Sequence, residues 1–178
     1  EEDRSQLLES FAKMYAPAIG TGPVMDYLGQ TGRDALRGAD MIKVAPERYS
    51  SNIKYENNAI GRSLRDVAQV HLAGLGTQVF YTSYGPFDTH FNQPGSHTKL
   101  WMDISKAISD FFADLREHDA GEEGVMMLFS EFGRRVRDNG TGTDHGAAGV
   151  AFAIGDRVNG GMYGSYPSLK PEDLSQGD

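Results

Sequence analysis

Apolar residues recur with a helical period at Leu7, Leu8, Phe11 and Met14/Tyr15, so Ser5 to Tyr15 predicts an amphipathic helix. Met25 to Val44 predicts a second helix, interrupted near Gly29 to Gly32. Pro46 to Asn58 is a polar stretch with several turn formers and reads as a loop. Leu64, Val67, Ala68, His71, Leu72 and Leu75 then repeat at three- and four-residue spacing, closed by Gly74 and Gly76. That is the pattern of a helix followed by its stop signals.

The second half changes period. Gln78 to Tyr84 is rich in β-branched and aromatic residues and is bounded by glycines and a proline, which predicts a buried strand. Leu100, Ile104, Ile108, Phe111, Phe112 and Leu115 mark a long amphipathic helix, with Ser96 as its expected N-cap. Gly124 to Phe129 is a second strand of buried type. Strand, helix and strand at this spacing predict a right-handed βαβ unit, with the two strands as parallel neighbours. The expected class is therefore α/β, a mainly parallel sheet flanked by helices. Gly149 to Ile154 predicts one more strand. The connection before it, Arg137 to Gly146, has no apolar helical face, so an antiparallel or edge position is expected. The tail from Tyr163 to Asp178 reads as loop.

Composition narrows the function classes. A chain of 178 residues supports one domain with a core but not two of ordinary size. A net charge of -8 argues against nucleic acid, since nothing here neutralises a run of phosphates. No apolar run approaches the roughly 20 residues that span a bilayer. With no cysteine in the chain, any metal must be held by nitrogen and oxygen.

Three polar boxes supply such donors: FDTH (Phe87 to His90), SEFGR (Ser130 to Arg134) and TDHG (Thr143 to Gly146). Each follows or precedes a β-type run, so all three are expected on loops at one sheet edge, where α/β proteins bind ligands. They offer Asp88, His90, Glu131, Asp144 and His145 as candidate metal ligands. Imidazole and carboxylate hold divalent ions, here zinc, manganese or calcium. Each residue also has a plainer reading. Asp88 would cap a turn, with His90 solvated; Glu131 would pair with Arg134 or Arg135; His97 would be a surface residue of a first helical turn, kept as a reserve ligand. His71 falls on an apolar helix face and reads as a core histidine, His118 as a solvated one, and Glu122-Glu123 as surface charge. No G-x-S-x-G elbow, P-loop or H-E-x-x-H is present.

The stretch GLGTQVFYTSYGPFDTHFNQPGSHTKL and the later LFSEFGRRVRDNGTGTDHGAAGVAFAIGDRVNGGMYGSYPSL closely resemble a bacterial family known as domain of unknown function fifteen-oh-one. The resemblance covers about Ala59 to Leu169, and its specificity lies in the ordered trio of boxes. It implies an alkaline phosphatase- and sulfatase-like fold and an exported, periplasmic or extracellular protein. It implies Asp88 and His90 as the first aspartate and histidine ligands, and His145 as the late histidine with Asp144 beside it. Glu131 falls where the superfamily has Asp-His after a strand, and Phe132 stands in place of that histidine. The strand that carries the superfamily's nucleophile has no counterpart. The chain is therefore expected to be a single partial domain over residues 1–178, with 1–58 a helical part and 59–169 the metal-site core. The implied activity is metal-dependent hydrolysis of a phosphate or sulfate ester, on a small molecule or a glycan, with Arg134 stabilising the developing charge. The rival reading is a non-catalytic exported binding or scaffold protein that keeps the fold. A third is a carboxylate–imidazole network with structural roles alone.

Overall fold

Helix α1 (Pro23–Arg48) runs unbroken through the glycines expected to interrupt it. Pro23 occupies its first turn, where the missing N–H would have no helical partner in any case. Gly29, Gly32 and Ala45 are its buried residues, so the glycines supply a small-residue surface rather than a break. Pro46 lies inside the last turn, and the chain leaves the helix only at Tyr49, later than the polar pattern indicates. The computed structural model describes residues 22–174, with Gln6, Glu9, Ser10 and Lys13 ahead of them. Those four are helical, but the apolar positions predicting a helix over Ser5 to Tyr15 lie outside the described residues, as do residues 175–178 of the tail.

Helix α2 (Ala59–Leu72) begins where the Asn58 side chain accepts the Gly61 N–H at 2.8 Å. It ends at glycines with left-handed backbone, Gly74 at φ 67° and Gly76 at φ 79°, as the stop signals predict. Helix α3 (Gln93–Glu117) starts earlier than expected. Asn92 turns the chain with φ 51° and Pro94 opens the first turn, so Ser96 is not the cap and His97 sits one turn in.

By contacts, the chain divides into two compact units: residues 1–50 with 69–77, and residues 51–68 with 78–178. The second contains every candidate ligand, and α3 is its spine. Leu100, Ile104, Ala107, Phe111, Phe112 and Leu115 form the buried stripe of that helix. Two carboxylates share the buried side. Asp114 accepts the Tyr55 hydroxyl at 2.8 Å and lies 3.4 Å from His118 Nδ1, while Asp110 pairs with Lys106. His118 also reaches the Asp114 carbonyl at 2.8 Å, so it is a helix-end contact and not the solvated residue its position suggests.

The mainly parallel sheet does not form. Strands β1 (Met126–Leu128) and β4 (Phe152–Ile154) make one antiparallel pair, with Met127 opposite Ala153. Strands β2 (Gly133–Asp138) and β3 (Thr143–Gly146) make another. Residues 78–84 belong to neither and are assigned no strand. Val79 is 86% exposed and Tyr81 81%, so this run lacks the burial that its composition predicts. Its last residue is fixed by Tyr84 Oη donating to Asp103 of α3 at 2.8 Å. With no ladder on residues 78–84, α3 is not a crossover between parallel strands, and the βαβ reading fails. The antiparallel expectation for the last strand does hold: a connection without a helix returns β4 against β1.

Candidate metal centre

The second and third boxes are not separate loops. SEFGR runs into β2 and TDHG is β3, and the two face one another with Arg134 opposite His145. Asn139-Gly140 makes the reversal, with Gly140 at φ 97° and the Asn139 N–H donating to the Gly142 carbonyl at 2.9 Å. The Asn139 side-chain oxygen also accepts the Thr141 and Gly142 N–H groups.

This hairpin lies directly against the first box. The Gln93 N–H donates to the Thr141 carbonyl at 3.0 Å, and Asn139 Nδ2 donates to the His90 carbonyl at 3.1 Å. A side-chain carbon at Gly142 would fall 2.6 Å from the His90 backbone. The glycine is therefore needed for close approach, not for an unusual turn. Arg134 completes the junction. Its guanidinium donates to the Phe87 carbonyl at 2.7 Å and to the Thr143 carbonyl, one on each side of the site.

Asp88, His90 and His145 consequently converge, with one potential ligand atom from each within 4.8 Å of the others. His145 Nε2 lies 2.7 Å from Asp88 Oδ1, and His90 Nε2 lies 2.8 Å from that same oxygen. The other nitrogen of His90, Nδ1, is 3.0 Å from Asp144 Oδ1, which also accepts from Asn139 Nδ2 at 3.2 Å. A neutral imidazole has one N–H. If His90 directs it to Asp144, its Nε2 lone pair faces a carboxylate oxygen at hydrogen-bond distance. Two lone pairs in that position repel, so a positive centre is required there, either a proton or a cation.

The carboxylates reflect this surrounding charge. The hydrogen bond from His145 holds Asp88 below the ordinary aspartate range, helped by the charges of His90, His145 and Arg134. Asp144 is likewise depressed, first by His90 and then by Asn139. His97 is pushed down by burial and by the nearby Arg134. It packs edge-on against Phe87 and Trp101, at 5.5 and 6.1 Å between ring centres, so it belongs to an aromatic cluster behind the site.

Of the five candidate ligands, three therefore meet and one stands a shell outside. Asp144 reaches the centre only through His90. Glu131 is exposed at the bend before β2 and is not in the convergent group. Arg134 lies 3.9 Å from Asp88, but two of its nitrogens are directed at main-chain carbonyls. Two contributors escaped sequence reasoning. Asn139 was legible only as half of an Asn-Gly turn signal, and Phe132, stacked on His145 at 4.3 Å, had no signal beyond standing where a histidine was expected. The donor set, two imidazole nitrogens and a carboxylate oxygen, fits zinc or manganese; calcium prefers oxygen alone.

Neither a curated protein nor a solved structure matches the chain at a significant level. A family described as Protein of unknown function (DUF1501) matches residues 36–177.

Proposed function

The chain belongs to the DUF1501 family, and from that premise we propose that Asp88, His90 and His145 hold one divalent zinc or manganese ion in a hydrolytic centre for phosphate or sulfate esters. The observation that carries the reading is the convergence of both Nε2 atoms on one Asp88 oxygen. Ligands around zinc at about 2.0–2.2 Å stand roughly 3.3 Å apart, so loading requires each Nε2 to draw back from the Asp88 oxygen by about half an ångström. Three protein ligands with an open position are the mark of a catalytic rather than a structural site. All three residues are exposed, so an ester oxygen could reach an ion held between them.

Bound there, the ion would polarise an ester oxygen and lower the pKa of an attacking group. The residues themselves do the rest. Asp144 fixes the His90 tautomer by taking its Nδ1–H, the usual role of a carboxylate behind a metal-bound histidine. Arg134 places positive charge 3.9 Å from Asp88, which would favour an anionic ester at the centre.

One observation favours a second reading, a binding protein without turnover. Phe132 occupies the position where the resemblance implies another ligand, so a second ion has no imidazole there. The deciding experiment is a zinc and manganese titration followed by aryl phosphate and aryl sulfate assays. One ion per chain, with binding lost in His145→Ala, is expected, and metal-dependent turnover would assign the hydrolytic role. Binding without turnover would favour the second reading, and no binding at millimolar metal would overturn the metal centre.

A further inference from the structure

The Glu-Phe-Gly-Arg sequence that leads into β2 brings no ligand to the centre, yet two of its side chains are built into it. The Phe132 ring lies parallel to the His145 imidazole, with centres 4.3 Å apart and planes 10° apart. The Arg134 guanidinium carbon is 4.9 Å from the centre of the same phenyl ring. Imidazole rotation about its last torsion is soft, and His145 is nearly half exposed. A flat ring stacked on one face restricts that rotation and keeps Nε2 directed at Asp88.

Arg134 acts on the backbone instead. Its planar fork spans two carbonyls from segments 47 and 9 residues away in sequence, Phe87 beside Asp88 and Thr143 on β3. An ammonium group is a point donor without that fixed fork. Asn139 ties the same stretches together farther along, from the His90 carbonyl to the Thr141 and Gly142 N–H groups, so Arg134 holds the end of the junction nearest Asp88.

We infer that Phe132 and Arg134 are positioning residues of this centre: Phe132 sets the plane of His145, and Arg134 holds the Asp88 segment against β3, so that the donors converge before an ion arrives. The role toward an ion rests on the metal reading above; the preset geometry stands without it. Phe132 therefore fills a position that the resemblance leaves as a lost ligand, and it does so by orienting a retained one.

The test uses the full chain and two readouts. In the metal-free protein, the ring protons of His145 are expected upfield of those of His118 by nuclear magnetic resonance, because they lie over the phenyl face. Phe132→Ala and Phe132→Leu should remove the shift, and Phe132→Tyr should keep it. Zinc affinity, measured against a chromophoric chelator, should fall roughly 10–100-fold in Phe132→Ala and Phe132→Leu, the range for outer-shell partners, with Phe132→Tyr close to wild type. Arg134→Lys should lose affinity as Arg134→Ala does. An unshifted His145 in wild type, or full affinity in Phe132→Ala, overturns the role of Phe132. Rescue by lysine overturns the fork argument. Failure of the wild type to bind zinc would defeat the metal reading alone, and the proton shifts would still decide the stack.

Discussion

Asp88 and His145 are separated by 57 positions in the chain, yet the Oδ1 of one lies 2.7 Å from the Nε2 of the other. The contact exists because a tight hairpin carries His145 back against the segment before α3. Three side chains of two ordinary types, aspartate and histidine, become a cluster only through that fold.

Direct ligands and outer-shell partners should separate cleanly. Asp88→Asn and His145→Ala are expected to lower zinc affinity by more than the roughly 10–100-fold typical of outer-shell changes. Asp144→Asn should fall within that range, because it acts through His90. Glu131→Gln should leave affinity unchanged. Competition titrations of the four variants check this ordering, and a loss in Glu131→Gln equal to that in Asp88→Asn would refute it.

Gly142 tests whether the centre depends on backbone approach. Alanine there places a carbon 2.6 Å from the His90 backbone, where no flexible side chain can yield. Gly142→Ala should push the hairpin away from His90 and reduce zinc binding, while far-ultraviolet circular dichroism keeps the helical signal of α3. Unchanged affinity would show that the hairpin and the first box move independently.

Tyr84 gives a prediction at alkaline pH. Its hydrogen bond to Asp103, then burial and the Asp103 charge, raise its pKa above the ordinary tyrosine value. The protonated phenol is therefore the form the fold favours. Its contribution is complete below the ordinary tyrosine pKa and is lost as pH rises through the elevated one. Ultraviolet titration should show a late-ionising component that moves to lower pH in Asp103→Asn, and an unchanged profile in that variant would refute the assignment.

The core of the second unit rests on α3. Leu115 is fully buried, and truncating a buried leucine costs about 2–5 kcal/mol. Leu115→Ala should lower the thermal midpoint by several degrees or more, whereas Met102→Ala, at an exposed position of the same helix, should change it little. Equal effects would mean that the stripe of α3 is not the core.

Much of the helical architecture was legible in the chain. Leu100 to Leu115 recur with the helical period because one face of α3 is buried, and burial of a stripe writes itself into sequence directly. The glycine stops after α2 were legible for a similarly local reason: they take backbone angles that other residues avoid. The N-terminus of α3 was misread because Ser96 is a good cap by type, while Asn92 and Pro94 start the helix earlier. Asp88, His90 and His145 were legible as donor types, and the structure brings one atom of each within 4.8 Å of the others.

Their arrangement was not legible. Strand pairing depends on which distant segment supplies the ladder, and composition cannot say so. Gln78 to Tyr84 has the residues of a buried strand and lies exposed without one, while Met126–Leu128, of the same character, pairs with Phe152–Ile154. Sequence alone thus determined the apolar faces of α2 and α3, the donor types and the absence of thiolate. Tertiary structure decided which donors meet: Asp144 lies one bond outside the centre and Glu131 away from it, because hairpin register sets which side chains of β3 and the turn face Asp88. The physical reason is range. Periodicity and turn chemistry act over a few residues, whereas the Asp88–His145 contact depends on backbone hydrogen bonds that close only when the whole hairpin is in place.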